Sequence, residues 1–228
     1  MKKFSSVTKT ILLAGLVTAG GAWAHESGDI IVRGGLTTVA PNDDSGSVVV
    51  EGVGNVGMAA QVNNNTQLGL NFVYMLDSSL AIEVLAATPF SHDIKLTHTT
   101  DNALGLGDGK LANAKQLPPT VSVLYYFNTN NAWQPYIGAG VNYTAFFDEK
   151  FTSDRQAQSF SNLKLDNSFG LALQAGFDYQ LQDSWLLNAS VRYIDIATEA
   201  NFDVLATTGK VDVDINPWVV SAMLGYTF

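Results

Sequence analysis

Histidine is the side chain best suited to moving protons near neutral pH, and this chain has three: His25, His92 and His98. His92 and His98 lie six positions apart with Asp93 and Asp101 close by, a group that could hold a metal ion or act as a base. A hydrolase would need a nucleophile, a base and an orienting group converging on one site, and the residue types present supply no convincing set. Cysteine is absent, which excludes disulfides, thiolate metal sites and thiol nucleophiles. The stretch Gly105-Leu106-Gly107-Asp108-Gly109 is followed by no helix and no lysine-serine pair, so it reads as a loop tip rather than a phosphate cradle. We expect no enzyme, no bound metal and no cofactor, with the loop histidines in solvent.

The other groups able to do chemistry are charges inside otherwise apolar segments: Arg33, Glu83, Asp178 and Arg192. Their positions make sense only once the elements around them are defined. The last segment, Val213 to Phe228, alternates. Trp218, Val220, Ala222, Leu224, Tyr226 and Phe228 form one apolar set with aromatic ends, and the residues between them are smaller and more polar. Period two with one apolar face fits a strand between lipid and a barrel lumen.

About eight such segments recur, approximately Asp29 to Val39, Thr66 to Leu76, Leu80 to Phe90, Gln116 to Phe127, Trp133 to Phe147, Leu165 to Tyr179, Trp185 to Ala197 and Val213 to Phe228. Each is long enough to cross a bilayer as a tilted strand. The connections alternate between short (Asp77 to Ser79, Asn128 to Ala132, Gln180 to Ser184) and long (Pro41 to Asn65, Ser91 to Lys115, Asp148 to Lys164, Thr198 to Asp212). An even strand number with short turns at one end and long loops at the other predicts an all-β fold: an eight-stranded antiparallel transmembrane barrel with short periplasmic turns, long extracellular loops and both termini in the periplasm. A soluble barrel would turn a polar face outward. Here the outward sets are Leu68, Leu70, Phe72 and Tyr74, or Phe169, Leu171, Leu173, Phe177 and Tyr179. Trp133, Trp185, Trp218, Tyr226 and Phe228 are expected to form the aromatic girdle, with the terminal aromatics as the signal read by the barrel-assembly machinery during insertion. Pro118 and Pro119 precede the fourth segment. They predict either a late strand start or a break in pairing that opens the wall sideways.

Residues 1–24 carry Lys2, Lys3 and Lys9 before a short apolar run and end on Ala22-Trp23-Ala24, the pattern of a secretory signal peptide. The expected domains are therefore this signal and a barrel over residues 25–228. Removing its three lysines from the 12 basic residues leaves nine against 21 acidic ones, a formal charge of −12. So acidic a chain is unsuited to nucleic acid, whose phosphates require Lys and Arg. Its loop charges suit solvation or cation association at the cell surface.

Inside the barrel, Arg33, Glu83, Asp178 and Arg192 fall on inward positions, and a charge in a narrow lumen must be hydrated or paired. We expect the two acids to pair with the two arginines as a polar plug in the periplasmic half, which either serves the pathway or simply rigidifies a filled barrel. Above it the inward candidates Leu85, Val73, Met75, Leu124, Tyr126, Tyr136 and Phe146 should line a hydrophobic pocket that binds by burial with few directional contacts.

The stretches Asn64 to Leu76, Leu85 to Phe90 (L-A-A-T-P-F), Leu117 to Thr120 (L-P-P-T), Pro135 to Phe147 and Asn216 to Phe228 resemble, in order, the OmpW family of small outer-membrane barrels. The resemblance implies a narrow hydrophobic lumen admitting small hydrophobic molecules, released through the barrel or sideways into the membrane. It also implies that Leu85 narrows that lumen. Arg192 departs from some relatives, where an aromatic can stand. The expected partners are outer-membrane lipid and lipopolysaccharide and small hydrophobic solutes. The competing function is a structural or surface-interaction barrel with a closed lumen and partner-binding acidic loops.

Overall fold

The computed structural model describes residues 25–42, 44–45, 48–52, 54–98, 107–127, 131–181, 184–205 and 207–228. The expected signal segment, Asp101, and the first half of the 105–109 glycine stretch lie outside these residues.

Eight antiparallel strands close on themselves: β1 (Ile30–Ala40), β2 (Asn65–Met75), β3 (Leu80–Ala87), β4 (Thr120–Tyr126), β5 (Trp133–Phe151), β6 (Ser168–Gln180), β7 (Trp185–Ile194) and β8 (Trp218–Thr227). Each pairs with its sequence neighbours, and β1 pairs with β8 from Ile31↔Thr227 to Ala40↔Trp218. Closure leaves no unpaired edge, the condition for a sheet to cross a membrane. Burial alternates residue by residue in β2, β4 and β8. The outward residues Leu68, Leu70, Val123, Ile137, Phe169, Leu171, Leu173 and Val220 are all at least half exposed in the isolated chain. That contiguous apolar band belongs in lipid. Trp133 lies 4.7 Å from Phe177, Trp185 5.1 Å from Tyr226, and Tyr226 4.7 Å from Phe228, giving an aromatic girdle at the end that carries both termini. Trp218 stands 5.3 Å from Tyr193 at the opposite end.

The long connections differ from the expected loops. Ser91 to Lys115 is largely a hairpin of Phe90–His98 and Gly109–Leu117, and Thr198 to Asp212 one of Ala197–Val204 and Thr207–Asp214. Strand β5 runs on to Phe151, past the expected end at Phe147, and carries the first hairpin with Met58–Val62 on its far side. Phe160–Leu165 extends the second hairpin, reached from β5 through the short helix Ser153–Ala157. These two sheets rise above the barrel and face each other. Alternation explains them: Phe90, His92, Ile94 and Leu96, like Ala200, Phe202 and Val204 or Val211 and Val213, place an apolar residue at nearly every second position.

Strand ends also move. β4 begins at Thr120 rather than Gln116 because Pro118 and Pro119 have no N–H for the ladder, and β8 begins after Pro217 rather than at Val213.

Candidate functional site

The lumen is organised in layers. At the periplasmic end Ile31, Val73, Met75, Ala81, Leu124, Tyr126, Tyr136 and Leu186 form a closed apolar cluster. His25 covers it from below, edge-on to Tyr126 at 5.0 Å. The pocket expected from Val73, Met75, Leu124, Tyr126 and Tyr136 above the plug is therefore a floor at and below it. The reason is strand direction: β2 and β4 descend, so Met75 and Tyr126, last in each, lie beside the short turns, with the Tyr126 N–H donating to the Ser79 carbonyl at 2.8 Å.

On this floor sit the four charges, each no more than 1% exposed. One Glu83 oxygen accepts from Arg33 Nη1 (3.3 Å) and Asn71 Nδ2 (2.9 Å), and the other from Gln174 Nε2 (2.8 Å) and Arg192 Nη2 (2.5 Å). Asp178 accepts from Arg33 Nη2, from the Tyr126 hydroxyl at 2.9 Å and from Asn188 Nδ2 at 2.9 Å. Arg33 also donates to the Tyr126 hydroxyl oxygen and lies 5.5 Å from the centre of the Tyr136 ring. Two cations thus meet two anions with charge balanced, the condition under which buried ions are tolerated. Asn71, Gln174, Asn188 and the two tyrosines complete a network that inward alternation alone could not assemble. Glycines make the room: a Cβ on Gly138 would come within 2.9 Å of the Gln174 side chain, and one on Gly176 within 2.6 Å of the Tyr136 ring.

Ser122 is level with Glu83, and above the network is a belt of small polar residues, Thr37, Thr120, Asn142, Thr144 and Ser221. Thr37 and Ser221 hydroxyls are 3.0 Å apart, and Asn142 Nδ2 donates to Thr120 Oγ1 at 3.0 Å. Leu85, 3% exposed, is the aliphatic residue at this waist and belongs to neither apolar cluster of the described residues.

Above the waist the interior is apolar again. Val39, Ala172, Ile194 and Val219 at the barrel top are continuous with the facing sides of the two extracellular sheets. Phe151, Phe160 and Phe202 meet there with ring centres 5.3 to 6.1 Å apart. Between the sheets lies a void of about 60 Å³, lined by residues such as Met58, Leu96, Ala112, Phe160, Phe202 and Val213. A void walled this way stays dry. All of these residues but Val213, which was read as the start of the last barrel strand, were missed because they fall in segments read as loops. Phe146 is half-buried beside a smaller void beneath.

His92 is not solvated. It is 4% exposed at the base of the chamber, in the extracellular extension, with Nδ1 2.7 Å from the Asn63 carbonyl oxygen and Nε2 3.0 Å from Gln116 Nε2. Burial pushes its pKa below the usual value, against an upward pull from the Asn63 carbonyl and Asp93. His98 is six residues further along the same strand, on the outermost rung with Met58.

The wall is broken between β3 and β4 at this height. β3 and β4 pair up to Leu85↔Thr120, and the next pairing above is Phe90↔Gln116. Residues 86–89 and 117–119 face each other across the gap without ladder bonds between them. The Pro119 carbonyl instead accepts from Tyr143 N–H and Asn142 Nδ2 on the β5 side.

The model for the family described as OmpW matches residues 26–228. The chain belongs to the OmpW family. It is 48% identical over 219 residues to Outer membrane protein W of Vibrio cholerae, covering 95% of this chain and 96% of that protein. The crystal structure of the outer membrane protein OprG from Pseudomonas aeruginosa superposes with a TM-score of 0.84 at 47% identity, covering 90% of this chain and 98% of that one. A third relative, 27% identical over 210 residues and covering 92% of this chain and 93% of its own, is the dibenzothiophene metabolism operon protein PahQ of Pseudomonas aeruginosa. This OmpW-family member is an outer-membrane protein, and its apolar belt is the surface that meets lipid.

Proposed function

We propose that the protein takes up small hydrophobic molecules from outside the cell into the inter-sheet chamber and releases them sideways into the membrane through the gap between β3 and β4. The observation that carries this reading is the sequence of layers: an apolar chamber at the extracellular end stands over a buried polar plug in which two arginines meet two carboxylates. An apolar solute entering the chamber gains by burial, roughly 25 cal/mol per Å² of apolar area. It gains nothing by entering a lumen filled by two ion pairs. The gap at residues 86–89 and 117–119 lies between chamber and plug and faces lipid, where such a solute is most soluble. The name of PahQ, which places that relative in an operon for metabolism of an apolar aromatic, supports the same solute class.

Uptake of a small hydrophobic fluorophore into proteoliposomes, over a bare-liposome baseline, tests the reading. Leu96→Glu places a charge in the chamber and should abolish protein-dependent uptake, whereas Lys95→Glu on the exposed face of the same strand should not. Leu85→Trp separates the routes. A straight path must pass Leu85 and would be blocked, while sideways release above it should persist. No protein-dependent uptake from a folded barrel would instead favour a closed structural or surface-interaction barrel.

A further inference from the structure

At the base of the chamber a second void, about 20 Å³, is lined by His92 and Gln116 among apolar side chains and shares Val62, Ile94, Leu165 and Ile215 with the larger one. Gln116 is 2% exposed. Its orientation follows from its neighbour. The Asn63 carbonyl can only accept, so His92 Nδ1 carries the proton and Nε2 accepts from Gln116 Nε2. The Gln116 carbonyl oxygen is then fixed in direction and has no hydrogen-bond partner. A buried acceptor left unpaired in apolar surroundings is costly, and the cost disappears when a donor arrives. Gln116 is also the first residue above the break in the wall, paired with Phe90.

Resting on the uptake reading above, we infer that this site selects amphiphiles: the chamber holds an apolar body, and the Gln116 carbonyl oxygen, set by His92 and Asn63, accepts a hydrogen bond from a single donor at its end. The solute class is that of phenols, aliphatic alcohols and undissociated carboxylic acids. A solute of two fused rings exceeds the void of about 60 Å³ and must part the two facing sheets to enter, and a bare hydrocarbon that does so leaves the acceptor unmet. The position at the gap means the polar end is held where the solute must turn towards lipid.

The test compares 1-naphthol with naphthalene, two solutes of one ring system that differ by a hydroxyl. Each is titrated into the wild-type protein and Gln116→Leu in nanodiscs, following the methyl NMR signals of Ile94 and Leu96, with partition into empty nanodiscs subtracted. Wild type should bind 1-naphthol about fivefold tighter than naphthalene, the value of one net hydrogen bond. In Gln116→Leu the ratio should fall to about one while naphthalene binding persists, which also shows that the variant's chamber is folded. Equal binding of the two solutes by wild type, or the same ratio in both proteins, would overturn the inference and leave the uptake reading standing. Failure of both solutes to shift Ile94 or Leu96 in folded wild type would overturn both.

Discussion

Replacing Glu83 with glutamine keeps the shape of the side chain and removes one charge from the plug. Both Glu83 oxygens accept from two donors, Arg33 and Asn71 on one and Arg192 and Gln174 on the other. Whichever way the new amide turns, its NH2 must face a pair of donors. Four charges that balance become two cations against Asp178 alone. At an effective dielectric of about 20, attraction between unit charges about 3 Å apart is roughly 5 kcal/mol per arginine. Most of this is offset because a neutral amide no longer carries the desolvation penalty of a buried carboxylate. The net loss for removing one partner of a buried ion pair is about 3 to 5 kcal/mol, and the donor clash places Glu83→Gln towards the upper end. Urea titration of the protein in lipid vesicles, read by tryptophan fluorescence and by heat-dependent gel mobility, measures it. The double change Glu83→Gln with Arg192→Met restores neutrality and should recover at least half of the loss. A cost below about 1 kcal/mol for Glu83→Gln alone would mean that water reaches the network, and would refute the reading of the plug as dry and closed.

Gly176→Ala would put a methyl 2.6 Å from the Tyr136 ring and should cost about 1 to 3 kcal/mol in the same assay, whereas Gly34→Ala, with nothing within 4 Å, should be neutral. For His92, the folded protein favours the neutral imidazole, so it titrates below 6.5. Stability of the extracellular sheets is then fully present above pH 6.5, begins to fall as acidification charges the unfolded imidazole, and reaches its low plateau once the folded pKa is passed. NMR titration of the ring carbons gives that pKa directly, and an unchanged profile in His92→Phe would show that another group is responsible.

Much of the barrel was legible because a strand has period two. Once Leu68, Leu70 and Phe72 must face lipid, Val73 and Asn71 must face inward, and the same counting puts Arg33, Glu83, Asp178 and Arg192 in one lumen. Burial of charge then demanded that they pair. Height along the lumen was not legible in the same way. It depends on strand direction and on the stagger of closed pairing, which is why Tyr126 and Tyr136 join the plug and the floor. The two extracellular sheets carried a readable signal in Phe202 and Val204 or Ile94 and Leu96, but polar outer faces made those segments look like loops.

Alternation and aromatic ends in the sequence by themselves determined a lipid-facing surface, a barrel and the membership of its interior, because those are properties of single strands. Only the tertiary structure decided which inward residues touch, that His92 is buried rather than solvated, and that an apolar chamber lies between the two sheets above the plug. Those follow from the register between strands distant in sequence, such as Glu83 meeting Arg192, which no local pattern encodes.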